Sequence, residues 1–240
     1  MSAASAASAT VSVSAGVTNP CVTTKHYYVD NIKESDPPAL TKCQVSVVTG
    51  DMFRVAAQER RPVLHNFANN RYQGGPASIY DKVGNFIAHR GGNTQEDQIV
   101  KKYRSKLLFP AKYYPICDDK GEALLYSHCD DLAPVITLAA PIDPNFASSD
   151  VRKSIIRRIH LMLKLSADND NTLITGLWGC GAFGANPRRM AELWGEALAT
   201  APYKPRKVVF CILLDQYSNK WGKAEDILSY FRDLNNPTGK

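Results

Sequence analysis

Apolar residues recur along this chain in two rhythms, one that suits strands and one that suits helices. "QVSVVT" (44–49) alternates apolar and polar positions and is rich in β-branched residues, so it predicts a strand. "PVLHNFA" (62–68), "ALLYSH" (123–128), "APVITLAAP" (133–141), "NTLITGLW" (171–178) and "RKVVFCILLD" (206–215) predict five more. The last two are nearly continuous apolar runs, the pattern of a strand covered on both faces. Between the strands, apolar residues fall three and four apart, which lines one face of a helix. "GDMFRVAAQER" (50–60) predicts a short helix capped by Asp51, and Ile99, Val100, Tyr103 and Leu107 predict another over 95–106. "SSDVRKSIIRRIHLMLKLSA" (148–167) is strongly amphipathic, with its stripe at Ile155, Ile156, Ile159 and Leu163. "PRRMAELWGEALA" (187–199) and "KAEDILSYFRDL" (223–234) complete the helices. Buried strands alternating with helices predict an α/β layered fold around a mainly parallel or mixed sheet.

Composition narrows the class without deciding it. The 240 residues suffice for one substantial core, and 44% apolar with 22% charged residues is ordinary for a globular chain. A net charge of +6 suits an anionic polymer as partner and equally suits a merely basic surface. The six cysteines (Cys21, Cys43, Cys117, Cys129, Cys180, Cys211) show no CxxC and no zinc-type spacing, so they read as reduced, mostly buried thiols of an intracellular protein. No apolar stretch is long enough to span a membrane. "MSAASAASATVSVSAG" lacks the basic and strongly apolar regions of a secretory signal, and its Ser/Ala bias predicts a flexible tail over 1–22. "KESDPPALTK" (33–42) reads as a loop within a single domain covering 23–240.

Ligands of α/β sheets bind where strands end in glycine-rich turns, and two such turns stand out. "WGCGAFGANP" (178–187) follows a buried strand and precedes a helix. Gly179, Gly181 and Gly184 satisfy G-x-G-x-x-G, but the ribose-binding acid expected about 20 residues on is missing from "ATAPYKP", which disfavours a nicotinamide site. The motifs G-x-x-x-x-G-K-[ST] and G-x-S-x-G are also absent, against a P-loop ATPase or an α/β-hydrolase. Glycines still let backbone N–H groups approach an anion, and the following helix adds its positive end, so a diphosphate is a reasonable guest. Phe183 within the turn reads equally as hydrophobic filler or as a ring packing on a sugar. The second turn, residues 69–95, ends in "HRGGNTQEDQIVKKY". Its adjacent Glu96 and Asp97 fall in a helix's first turn, where acids are ordinary caps and also where a reaction centre can sit.

Taken together, "VLHNFANNRYQGGP", "TQEDQIVKKYRSKL", "LLYSH", "VITLAAP", "ITGLWGCGAFGANPRRMAELW" and "KVVFCILLD", in that order, resemble the microbial type of poly(ADP-ribose) glycohydrolase, a branch of the macrodomain superfamily. The resemblance spans roughly residues 44–230. It implies a three-layer α/β/α macrodomain-like fold with a mixed central sheet and ADP-ribose in a surface cleft. It also implies hydrolysis of ribose–ribose O-glycosidic bonds with no metal and no cofactor. Carried over, Asn69 lies near the scissile ribose, Gly74 and Gly75 match the signature loop, and Gln95, Glu96 and Asp97 fall on the family's Gln-Glu-Glu. Gly179, Cys180, Gly181, Ala182, Phe183 and Gly184 match the diphosphate loop, with Phe183 on the distal ribose. In the family the second acid serves as proton donor and then base, while the first holds ribose hydroxyls.

This chain departs from the pattern in four places. Pro76 replaces the third signature glycine, and 18 residues, "ASIYDKVGNFIAHRGGNT", separate it from Gln95, with Gly91 and Gly92 placed to rebuild a tight turn. The catalytic position holds Asp97, one methylene shorter than Glu, and the aromatic expected to stack on adenine is Leu213, with Tyr217 as a substitute. Two readings follow. One is a glycosidase-type hydrolase acting on poly(ADP-ribose) or an ADP-ribosylated protein; the other is a binding module for ADP-ribose whose chemistry is weakened. Either way the expectation is a monomer with no membrane partner and no direct nucleic-acid binding.

Overall fold

The computed structural model describes residues 23–28, 43–69, 78–82, 86–89, 95–103, 117–118, 121–129, 132–167, 171–213 and 219–235. The elements run β1 (Thr23–Tyr28), β2 (Gln44–Thr49), α1 (Met52–Ala56), β3 (Pro62–Ala68), β4 (Ser78–Tyr80), β5 (Phe86–His89), α2 (Gln95–Tyr103), β6 (Cys117–Asp118), β7 (Gly121–Cys129), β8 (Leu132–Ala139), α3 (Ser149–Ala167), β9 (Thr172–Thr175), α4 (Pro187–Thr200), β10 (Lys207–Ile212) and α5 (Ala224–Arg232). The main sheet has the order β1-β7-β8-β3-β9-β10-β2, with β6 on β7. Strands β8, β3, β9, β10 and β2 are mutually parallel, whereas β7 joins β8, and β1 joins β7, antiparallel. The sheet is therefore mixed, as the resemblance implies.

Alternation along the central strands feeds two cores. Val63, Ile136, Leu138, Leu173, Val208, Phe210 and Ile212 pack with α3, α4 and α5 on one face. Leu64, Val135, Ile174, Val209 and Cys211 pack with Met52, Phe53 and Ile99 of α1 and α2 on the other. Helices on both faces of one sheet make three α/β/α layers. On the larger side, Phe210 of β10 meets Trp194 of α4 edge-on at 5.1 Å between ring centroids and Phe231 of α5 at 4.9 Å.

Local chemistry fixes the helix starts. Asp51 accepts from the Phe53 and Arg54 N–H groups at 2.7 and 3.2 Å, the expected cap. Asn186 caps α4 by accepting from the Arg189 N–H at 3.2 Å, with Pro187 in the first helical position, where its missing N–H costs nothing. Several features differ from the sequence expectation. The helix expected over 50–60 is confined to Met52–Ala56, the strand expected over 206–215 ends at Ile212, and the short β6 was not expected. The strand expected to run to Trp178 stops at Thr175, and the next residue, Gly176, lies so close to the Cys211 carbonyl that a Cβ there would collide with it. Strand β1 forms from "TTKHYY", which shows no apolar face in sequence; it pairs antiparallel with β7, and its Tyr27 packs against the larger core. Part of the long connection between Pro76 and Gln95 folds as the antiparallel pair β4–β5, which packs against α2. The expected N-terminal tail lies outside the described residues.

Candidate active site

Strands β3 and β9 part company before they end. β3 pairs with β8 as far as Ala68 but with β9 only through Leu64. The backbone groups of His65 and Phe67 on the β9 side therefore need other partners. Gln95, the first residue of α2, supplies them. Its Oε1 accepts from the Phe67 N–H at 2.8 Å, and its Nε2 donates to the His65 carbonyl at 2.6 Å. One side-chain amide thus continues the ladder where a strand is missing, and it ties the start of α2 to β3.

That tie sets the place of the two acids that follow. Glu96 and Asp97 are 4% and 1% exposed, unusual burial for adjacent carboxyl groups. Asn66, fully buried on β3, donates its Nδ2 to Glu96 Oε1 at 3.2 Å and to Thr137 Oγ1 of β8 at 3.3 Å. The α2 N-terminus favours negative charge through its macrodipole, and Ile99 seals the first turn from beneath at 0% exposure. Among the described residues no three His, Cys, Asp or Glu side chains cluster to hold a metal ion.

On the opposite face of β3, His65 joins the strand to the glycine turn that begins at Trp178. Its Nδ1 lies 2.9 Å from Thr175 Oγ1, and its ring packs edge-on against Phe67 and, at 5.5 Å, against Trp178. Burial pushes its pKa from 6.5 down to about 3, with the Leu138 carbonyl offsetting part of the shift. The ring is neutral at ordinary pH. Trp178 in turn donates its indole N–H to the Leu138 carbonyl at 3.1 Å.

The turn itself is built for glycine at two positions. Gly179 and Gly184 have φ of +78° and +75°. A Cβ at Gly179 would approach Ala140 Cβ to 2.8 Å, and one at Gly184 would overlap the Asp143 carboxyl. Bonds from the Gly184 N–H to the Gly181 carbonyl (3.2 Å), the Ala185 N–H to the Gly179 carbonyl (3.0 Å) and the Asp143 N–H to the Phe183 carbonyl (2.7 Å) hold it. Cys180 is buried beneath, where desolvation raises its thiol pKa well above the usual range and the Lys220 charge offsets part of the rise. Phe183 is half-buried and packs against the larger core. Ala182 is exposed at the tip.

Asn69 follows directly on β3 and is half-buried. Gly74, Gly75, Tyr72, Pro76, Gly91, Gly92 and Tyr217 lie outside the described residues. Leu213 stands 64% exposed just beyond β10. The carboxyl ends of the parallel strands β3, β8, β9 and β10 thus carry Asn69, the Ala140–Asp143 segment, the glycine turn and Leu213 on one edge of the sheet. Sequence reading passed over Asn66 and His65, although two consecutive polar residues inside "PVLHNFA" are a signal that a strand carries more than core. It also passed over Trp221, whose indole N–H donates to the Cys180 carbonyl at 2.8 Å.

No protein-family model matches the chain, and no curated protein matches it in sequence. Solved structures match it in three dimensions. The poly(ADP-ribose) glycohydrolase of Deinococcus radiodurans, solved in complex with ADP-ribose, superposes with a TM-score of 0.62 at 20% identity, over 88% of this chain and 93% of that one. The fold is that of the poly(ADP-ribose) glycohydrolases. The glycohydrolase of Thermomonospora curvata gives 0.53 at 17% identity, over 88% of this chain and 85% of that one. The same glycohydrolase bound to the inhibitor ADP-HPD gives 0.55 at 16% identity, over 87% and 84%. The three layers and mixed sheet described above are thus those of a glycohydrolase fold.

Proposed function

We propose that the chain is an ADP-ribosyl glycohydrolase that cleaves ribose–ribose O-glycosidic bonds of poly(ADP-ribose) or frees ADP-ribose from a modified protein. The observation that carries this reading is the buried Glu96–Asp97 pair, fixed to β3 by Gln95 and Asn66 on a sheet whose carboxyl edge bears the glycine turn. Solved relatives of the same fold hold ADP-ribose. In this reading the backbone from Gly179 to Gly184 receives the diphosphate, and Phe183 flanks the distal ribose. Asn69, Gly74 and Gly75 line the scissile end. Gln95 acts by holding α2 in register, since its amide is engaged by β3.

The chemistry then needs one carboxyl group twice. As the C–O bond breaks, Asp97 gives its proton to the leaving ribose oxygen, and the ring carbon becomes oxocarbenium-like. The resulting carboxylate takes a proton from the water that attacks that carbon, which restores the acid. Glu96 holds the adjacent hydroxyls and adds negative charge opposite the developing cation. Labelled poly(ADP-ribose) tests this directly. Release of ADP-ribose by the wild-type chain, abolished in Asp97→Ala and Glu96→Ala, is the expected result; no release by the wild type rejects the hydrolase.

A second reading has its own observation. Asp97 is one methylene shorter than the glutamate of the resembling family and only 1% exposed, and a misplacement of about 1 Å can cost on the order of 10²-fold in rate. A binding module with slow or no turnover would retain the polymer without releasing ADP-ribose in the same experiment.

A further inference from the structure

The glycine turn is held from outside by its carbonyls. Trp221 and Lys220 lie in the short segment Asn219–Trp221 between β10 and α5. Trp221 Nε1 donates to the Cys180 carbonyl at 2.8 Å, and Lys220 Nζ donates to the next carbonyl, that of Gly181, at 3.2 Å. The Lys220 ammonium also sits 4.9 Å over the Trp221 ring, and that ring is half-buried against the larger core, so the two donors support one another.

Peptide geometry turns this grip into a direction. In a trans peptide the C=O and N–H bonds point opposite ways. The Cys180 carbonyl shares its peptide with the Gly181 N–H, and the Gly181 carbonyl shares its peptide with the Ala182 N–H. Trp221 fastens the first carbonyl, and Lys220 from outside and the Gly184 N–H from within the turn fasten the second. Both N–H groups are therefore turned away from the atoms that hold their carbonyls. Among the described residues those two N–H groups donate to nothing; Ala182 is exposed, and a Cβ at Gly181 would meet no atom within 4 Å. Successive backbone N–H groups presented together form an anion-binding concavity.

We propose that Lys220 and Trp221 are positioning residues that aim the Gly181 and Ala182 amides at an anionic ligand. The proposal rests on the glycohydrolase reading for the identity of that anion, the diphosphate of ADP-ribose. The ammonium on the Gly181 carbonyl polarises that peptide and strengthens its N–H as a donor. Trp221 contributes geometry alone.

Titration calorimetry on the full chain with ADP-ribose, inorganic pyrophosphate and adenosine tests this in the wild type and in Lys220→Met, Lys220→Arg and Trp221→Phe. Thermal melts establish that each variant is folded. Lys220→Met is expected to weaken ADP-ribose and pyrophosphate about tenfold, with adenosine unchanged. Lys220→Arg should recover most of the loss. Trp221→Phe keeps the ring but removes the donor, and it too should weaken both anions while sparing adenosine. Wild-type affinity for both anions in Lys220→Met and Trp221→Phe would overturn the proposal and leave the glycohydrolase reading standing. An equal loss for adenosine would also overturn it, since that reports general damage to the turn. Pyrophosphate binding that depends on Lys220, without ADP-ribose binding, would sustain the anion clamp and reject the glycohydrolase. No binding of either anion to the wild type rejects both.

Discussion

His65 makes this fold sensitive to acid in a calculable way. The ring is fully buried between Phe67, Trp178 and Thr175, and its pKa falls from 6.5 to about 3 because burial penalises the imidazolium. Well above pH 6.5 the ring is neutral in the folded and unfolded chains alike, and it contributes no pH dependence. As the pH falls below 6.5, the unfolded chain takes up a proton that the folded chain refuses, so stability present at neutral pH is lost. The loss steepens towards about 1.4 kcal/mol per pH unit and levels off only below about pH 3; between pH 7 and pH 4 it amounts to about 3 kcal/mol. Urea unfolding followed by tryptophan fluorescence, at fixed ionic strength and stepped pH, measures this in the wild type and in His65→Gln. Glutamine keeps a hydrogen-bonding group for Thr175 but cannot titrate. All other groups titrate in both proteins, so the difference between the two pH profiles isolates His65. The wild-type profile should fall more steeply by about 3 kcal/mol over that range. Parallel profiles would show that the folded ring accepts a proton freely, and the argument from burial would fail.

Gln95→Leu should destabilise the chain by about 2–4 kcal/mol in urea, since it strips partners from the His65 carbonyl and the Phe67 N–H, and it should depress hydrolysis further by releasing the first turn of α2. The two glycines Gly184 and Gly181 should behave oppositely. Gly184→Ala meets both a φ of +75° and the Asp143 carboxyl and should lower the melting temperature, whereas Gly181→Ala faces open space and should leave melting within about 0.5 kcal/mol while weakening ADP-ribose binding by calorimetry. Asp97→Glu should raise ADP-ribose release if carboxyl reach limits the rate, and an unchanged rate in the polymer assay would exclude that limit. Phe210→Ala removes a ring packed between Trp194 and Phe231 and should cost about 3–5 kcal/mol by denaturant unfolding.

The parts of the fold that were readable in sequence are those whose apolar pattern reports burial directly. "QVSVVT" and "PVLHNFA" become β2 and β3 at the expected residues, and β3 is buried on both faces. "TTKHYY" carried no such signal, because an edge strand can be set by backbone pairing and a single packed ring, here Tyr27, without an apolar alternation. The strand expected at 171–178 is too long because Leu177 and Trp178 continue the apolar run past Thr175, where β9 ends, and apolar character alone does not mark the turn that follows. The candidate site divides in the same way. Glu96, Asp97 and the glycines were visible as residue types in suggestive places. What holds them was not, because each link joins distant segments through one polar side chain: Gln95 reaches Phe67 across 28 residues, and Trp221 reaches Cys180 across 41. A lone polar residue has no periodicity, so no pattern along the chain announces its partner.

The Gln95 bond to β3 has a consequence for how this architecture tolerates change. It makes a strand, not the connection that precedes the helix, the datum from which Glu96 and Asp97 are measured. Residues can then be added to or removed from that connection without carrying the acids along, much as slack in a cable does not move a bracket bolted to a wall. The 18-residue stretch after Pro76 uses that freedom, and its β4–β5 pair comes back to pack on α2. Exchanging the stretch for a shorter link would remove one support of α2 and leave the Gln95 bond to set where the carboxyl groups stand.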